Sequence, residues 1–210
     1  MPAPLAPFPR LAVAAAVVLA GVFALLIDAS PRSFFLLASP LCLAWMTASA
    51  RAAPAGLLER LRPGAADVAL GLAAGAVLYL GTRLFLWGFC GGFSDALCGP
   101  LEGTLRRFEA RTFAAALAIA LLIAPAEELF WRGVVQAWLA RRLGPARGLT
   151  AAVGLAVVLA LVTGEPFLAL ATLPTYAAWG ALAAWRGSLV PALVSHVTWS
   201  LLVASIAPPG

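Results

Sequence analysis

The chain has 210 residues, of which 63% are hydrophobic and 11% charged, with a mean hydropathy of +0.98. Soluble domains are about half apolar and roughly a quarter charged, so this chain lacks the polar surface to cover itself in water. A soluble globular enzyme, a disordered chain and a fibrous repeat are excluded, which leaves an all-α, polytopic transmembrane helix bundle with length for about six to eight spans.

All 14 basic residues are arginines, set against 9 acids for a net charge of +5. They punctuate apolar runs and form no basic tail or aromatic-interleaved patch. That pattern fits headgroup contacts and topology signals and argues against nucleic acid as a partner.

The first apolar run, Leu11 to Ile27, follows Arg10. Because further membrane runs come after it, an uncleaved span is expected in preference to a secretory signal. The second run is Phe34 to about Ala50, followed by a loop carrying Arg51, Arg60 and Arg62. Cys42 lies within the second run and reads as inert packing. The third run, Val68 to Phe89, holds Gly71-x-x-x-Gly75, a spacing that lets another helix backbone come close and that ordinary small-residue packing explains. Arg83, near its end, can snorkel to the interface. Cys90 and Cys98 flank a Gly/Cys/Pro loop over 90–100; pairing in an oxidising compartment and free thiols both remain open, while their spacing and the lack of a nearby histidine argue against zinc. The stretch LEGTLRRFEAR then places Leu101, Leu105 and Phe108 at helical spacing and reads as a short interfacial amphipathic helix.

A fourth span runs from Thr112 to about Ala140 and closes in a loop with Arg141, Arg142, Gly144, Pro145 and Arg147. Leu149 to Thr163, Phe167 to Trp185 and Leu189 to about Ala207 complete seven expected spans in one structural domain. If the N-terminus is cytoplasmic, eight loop arginines fall inside (10, 51, 60, 62, 141, 142, 147, 186) and four outside (32, 106, 107, 111), which favours that orientation. The seven tryptophans suit interfacial belts.

Glu127, Glu128 and Arg132 interrupt the fourth span. A charge at the bilayer centre costs about 2.5–3.5 kcal/mol on insertion scales, so three close together imply pairing or use. Glu128 and Arg132 are at i and i+4 and share a helix face, whereas Glu127 projects about 100° away. Glu128 is therefore expected to be held ionised by Arg132. Glu127 is expected to face something else, and a desolvated carboxylate is more basic than one in water, as a general base near neutrality requires. Pro125 frees a backbone carbonyl and can kink the helix beside them. A solvated Glu-Glu-x-x-x-Arg face where the helix emerges explains the local sequence equally well. His196, the sole histidine, lies in a final span without any charge, with Ser200 one turn on. It reads either as interhelical hydrogen-bond glue or, if it meets Glu127, as part of an acid/base constellation that activates water. Glu165 reads as a solvated turn residue. No HExxH zinc site, GxSxG elbow or glycine-rich phosphate loop is present, so no metal or cofactor is expected.

The segment AEELFWRG, Ala126 to Gly133, resembles the EExxxR motif of the CPBP intramembrane proteases, also called the ABI or CAAX-protease-like family, which includes the CAAX prenyl endopeptidases. YAAWGALAAWRGSLVPALVSHVTWS, Tyr176 to Ser200, is similar to that family's Gly-containing helix, turn and His-bearing last helix. The resemblance divides the chain into N-terminal transmembrane and interfacial helices over 1–111 and a protease core over 112–206. It implies an endopeptidase of bacterial type, multi-pass in the inner membrane, acting on a membrane-embedded or lipid-anchored protein or peptide. In that role Glu127 activates water, Glu128 and Arg132 support it, and His196 stabilises the oxyanion. The sequence departs from the family pattern twice. The FxxxH motif aligns with Leu159 to Thr163, placing Thr163 where a histidine is expected, and Ser200 ends the HxxxN/D motif. Both hydroxyls can hydrogen-bond but neither is a base near neutral pH. Two other readings follow: a non-catalytic scaffold or binding protein keeping the fold, and a small transporter relaying protons through Glu127 and His196, which the lack of an inverted repeat disfavours.

Overall fold

The computed structural model describes residues 10, 13–14, 16–18, 21–22, 31–53, 55–92, 95–107, 112–164 and 166–205, and among these it is helical without any strand. The all-α polytopic bundle is thus the fold. We number the helices α1 (Pro31–Ala52), α2 (Leu57–Arg60), α3 (Ala65–Gly92), α4 (Asp95–Arg107), α5 (Phe113–Leu143), α6 (Pro145–Val162), α7 (Pro166–Arg186) and α8 (Val190–Ser205). Four of them, α3, α5, α6 and α7, are long and apolar enough to cross a membrane, and α8 is a shorter apolar helix. The second expected span corresponds to α1; the first lies mostly outside the described residues, and those of its residues that are described are helical. Leu80, Leu84, Trp87, Val162, Leu173 and Trp185 project outward, a surface that hydrocarbon accommodates and water does not.

Two expectations need correction at the third turn. The residues read as a loop over 90–100 are largely helical: α3 continues through Gly92 and α4 opens at Asp95, six residues before the expected start of the amphipathic helix, with Pro100 inside it. A disulfide joins Cys90 to Cys98 across the turn and leaves Cys42 as a buried free thiol. Phe108 lies outside the described residues.

Helix α5 begins where Thr112 caps it, its side chain accepting from the Ala115 amide at 3.1 Å, and ends at Gly144, whose φ of +86° favours glycine. Its winding is not uniform. Wider π-helical turns at Ile119–Ile123 and Leu129–Gln136 flank the α-helical Ala124–Glu128. Pro125 has no N–H and its ring crowds the carbonyl four residues back. The wider turn preceding it relieves that clash without breaking the helix, and such turns recur beside functional sites.

Gly71 and Gly75 explain how α8 is positioned. A Cβ on Gly71 would meet the Pro191 carbonyl oxygen at 2.8 Å, and one on Gly75 the Ser195 carbonyl oxygen at 2.8 Å and Thr198 Cβ at 2.7 Å. The two helices therefore touch backbone to backbone on the turns that bracket His196. Trp199 Nε1 adds a bond to Thr82 Oγ1 at 3.0 Å. At one end of the bundle the Arg60 carbonyl accepts from the Leu189 amide (2.8 Å) and Ser188 Oγ (3.2 Å), and Arg186 pairs with Asp67 at 2.7 Å. These bonds tie α2 and the start of α3 to the α7–α8 turn.

Replacing Gly75 by alanine should destabilise the protein by about 1–3 kcal/mol through overpacking against backbone that cannot yield. Gly81→Ala, whose new methyl meets nothing within 4 Å, is the control and should be neutral or slightly stabilising. Thermal unfolding of the two variants in detergent measures the difference, and an equal response of both would reject the close approach.

Candidate active site

The site is assembled on the α-helical segment of α5 between its two wide turns. Glu128 is directed inward and lost to solvent, with only 2% of its side chain exposed, while Glu127 retains 27%. Glu128 Oε1 accepts from Arg132 NH1 at 2.9 Å, the i,i+4 pair expected from the sequence, and lies 2.8 Å from His196 Nδ1. Arg132 is as buried as its partner and is held further by its NH2 bond to the Tyr176 carbonyl (3.3 Å) and by the faces of Tyr176 (4.3 Å) and Trp179 (5.4 Å). Gln136, one turn on, donates to the Gly180 carbonyl at 2.9 Å. Both bonds join residues 44 apart, so α5 and α7 run in the same direction.

Glu127 faces a different set of groups. Its Oε2 accepts from the Tyr176 hydroxyl at 2.6 Å and lies 3.9 Å from His196 Nε2. Glu127 and His196 thus do meet across the bundle, but the imidazole's direct hydrogen bond is to Glu128. The ring bridges the two carboxylates, Nδ1 toward Glu128 and Nε2 toward Glu127. Trp179 stacks on it at 3.9 Å between centroids and 15° between planes, and Trp179 Nε1 bonds to Ser195 Oγ at 3.1 Å. His196 is therefore fixed in plane by an indole and in rotation by a carboxylate.

Thr163 and Ser200 are not brought into this cluster by hydrogen bonding. Thr163 closes α6 and turns its hydroxyl back to the Ala160 carbonyl at 2.6 Å. Leu159, one turn earlier, packs against the core cluster that includes Ala126, Phe130 and Ala156. Ser200 lies on α8 one turn past His196, half-buried, and among the described residues no hydrogen bond links it to Glu127, Glu128 or His196. Glu165 lies outside the described residues. Sequence reasoning missed Tyr176, Trp179 and Ser195 as parts of the site. Tyr176, Trp179 and Gly180 share the face of α7 that α5 covers, but an aromatic in an apolar span carries no charge anomaly to single it out.

Among the described residues, Cys90, Cys98 and Glu102 bring potential metal-ligating atoms within 4.8 Å of one another. Both sulfurs are engaged in the disulfide, which leaves no thiolate pair to bind an ion.

Chemically, the cluster offers a partly accessible carboxylate, an imidazole nitrogen on the same side, and a buried ion pair behind both. Residues 109–202 match the family model described as Type II CAAX prenyl endopeptidase Rce1-like. Comparison with curated proteins and comparison with solved structures each give no match. The matched segment contains Glu127, Glu128, Arg132, Tyr176 and His196, and over this part the chain is similar to the CPBP, CAAX-protease-like family.

Proposed function

We propose that the protein is a glutamate-dependent intramembrane endopeptidase that hydrolyses a peptide bond of a membrane-embedded or lipid-anchored protein or peptide. The observation that carries this reading is the approach of Glu127 and His196, 3.9 Å apart, from helices distant in the chain. Glu127 takes a proton from water as its oxygen bonds to the carbonyl carbon, and the carbonyl electron pair moves to oxygen. The proton then passes from Glu127 to the departing amine nitrogen. His196 donates from Nε2 to the oxyanion. With Nδ1 donating to Glu128, Nε2 bears a proton when the ring is an imidazolium; its charge and that of Arg132 then balance the two carboxylates. The membrane is an inner membrane of bacterial type, and no metal or cofactor enters the scheme.

The experiment uses purified full-length protein in proteoliposomes with a farnesylated CAAX peptide carrying a donor–quencher pair across the bond after the modified cysteine. Cleavage that disappears in Glu127→Gln supports the assignment; cleavage that persists in it rejects it. His196→Ala should lower kcat by about 10²–10³, the usual loss on removing an oxyanion donor.

A further inference from the structure

We propose that Tyr176 is the positioning residue for the general base, Glu127, to which its hydroxyl donates. This rests on the reading of Glu127 as the base and names the group that aims it. Thr163 is spent on its own helix, its hydroxyl bound to the Ala160 carbonyl. The partner that does reach Glu127 comes from α7: Tyr176 donates to Oε2 at 2.6 Å. Among the described residues Oε1 receives no hydrogen bond, so it is the oxygen left to accept the proton of water.

Tyr176 is itself immobilised. Its carbonyl accepts from Arg132, its ring lies under the Arg132 guanidinium, and Trp131 (5.7 Å) and Trp179 (5.6 Å) contact it from two sides. A phenol has two rotatable side-chain bonds, and with the ring wedged its hydroxyl can reach one place only. The same residue thus touches both the buried ion pair and the base, and couples the orientation of Glu127 to the packing of Arg132.

The other charged or titratable groups facing Glu127 are His196 from α8, the Cys42 thiol from α1, and Glu128 and Arg132 from its own helix. Tyr176→Phe leaves all of these in place. Because the phenol hydrogen-bonds to the ionised carboxylate, its removal makes that carboxylate easier to protonate.

The test has a readout that does not need turnover. In the infrared spectrum of the full-length protein, the carboxyl band of Glu127 is the one missing from Glu127→Gln, and its titration is followed with pH. In Tyr176→Phe the midpoint should move to higher pH; with 3-fluorotyrosine at the same position, a more acidic donor, it should move to lower pH. An unmoved midpoint in both overturns the inference, even where Glu127→Gln is inactive. On the farnesylated peptide, Tyr176→Phe should lose about ten- to a hundredfold in kcat, the value of one hydrogen bond to a charged group, with KM unchanged and the acid limb of the pH profile displaced upward. A loss confined to KM, or equal at all pH values, also overturns it. Active Glu127→Gln would instead sink the proposed function while the infrared result still decides the contact.

Discussion

Replacing Glu127 by glutamine should reduce kcat on the farnesylated peptide by about 10²–10⁴, the usual contribution of a positioned general base, while leaving the folded protein intact. The amide has the carboxylate's shape, and its oxygen can still accept the Tyr176 hydroxyl that now rests on Oε2 at 2.6 Å. What it cannot do is take a proton from water. The side chain is 27% exposed, and its approach to His196 Nε2, at 3.9 Å, is too long for a direct hydrogen bond, while His196 keeps its 2.8 Å contact with Glu128, so neutralising Glu127 breaks no hydrogen-bonded buried ion pair. The thermal midpoint should therefore stay within the range of a surface substitution, about 0.5 kcal/mol. Activity and stability separate here, which distinguishes a base from a structural acid. A parallel fall in both would move Glu127 into the supporting framework.

That separation between two adjacent glutamates was partly legible from the amino-acid order. Charges in an apolar run are expensive, so Glu127, Glu128 and Arg132 stand out without any coordinates, and the four-residue spacing pairs Glu128 with Arg132 as found at 2.9 Å. The direction in which each group then points was less legible. An ideal 100° step applies to an α-helix, and α5 changes its winding at Ile119 and again at Leu129 on either side of the pair. His196, on a helix whose position the local sequence does not give, bonds directly to Glu128 and only approaches Glu127. Motif spacing aligned Thr163 with a histidine position, yet the residue falls at the last turn of α6, where a free carbonyl attracts its hydroxyl. Tyr176 went unnoticed because nothing in an apolar helix distinguishes a tyrosine that bonds a carboxylate from one at a membrane interface. The Gly71-x-x-x-Gly75 spacing was correctly read as permitting close approach, but which helix it would admit depends on chain topology. It admits the one that carries His196.

Removing Arg132 should give the largest loss of stability of any single change in the site. Arg132→Met keeps much of the stem's volume but strips the guanidinium from Glu128, whose side chain is 2% exposed. An unpaired buried carboxylate destabilises by about 3–5 kcal/mol, far more than the pair contributes over apolar replacements. Glu128 Oε2 already has no hydrogen-bond partner among the described residues, so the carboxylate has no second donor in reserve beyond His196 on Oε1. The stacking of the guanidinium on Tyr176 at 4.3 Å and its bond to the Tyr176 carbonyl disappear in the same step. The double variant Arg132→Met, Glu128→Gln separates the two contributions. With no charge left to bury, it should recover most of the stability, while activity stays low because His196 has lost the carboxylate that orients it. A thermal-unfolding cycle over the wild type, both single variants and the double variant measures the coupling. Additive losses would mean that the two side chains, though in contact, do not stabilise the helix as a pair.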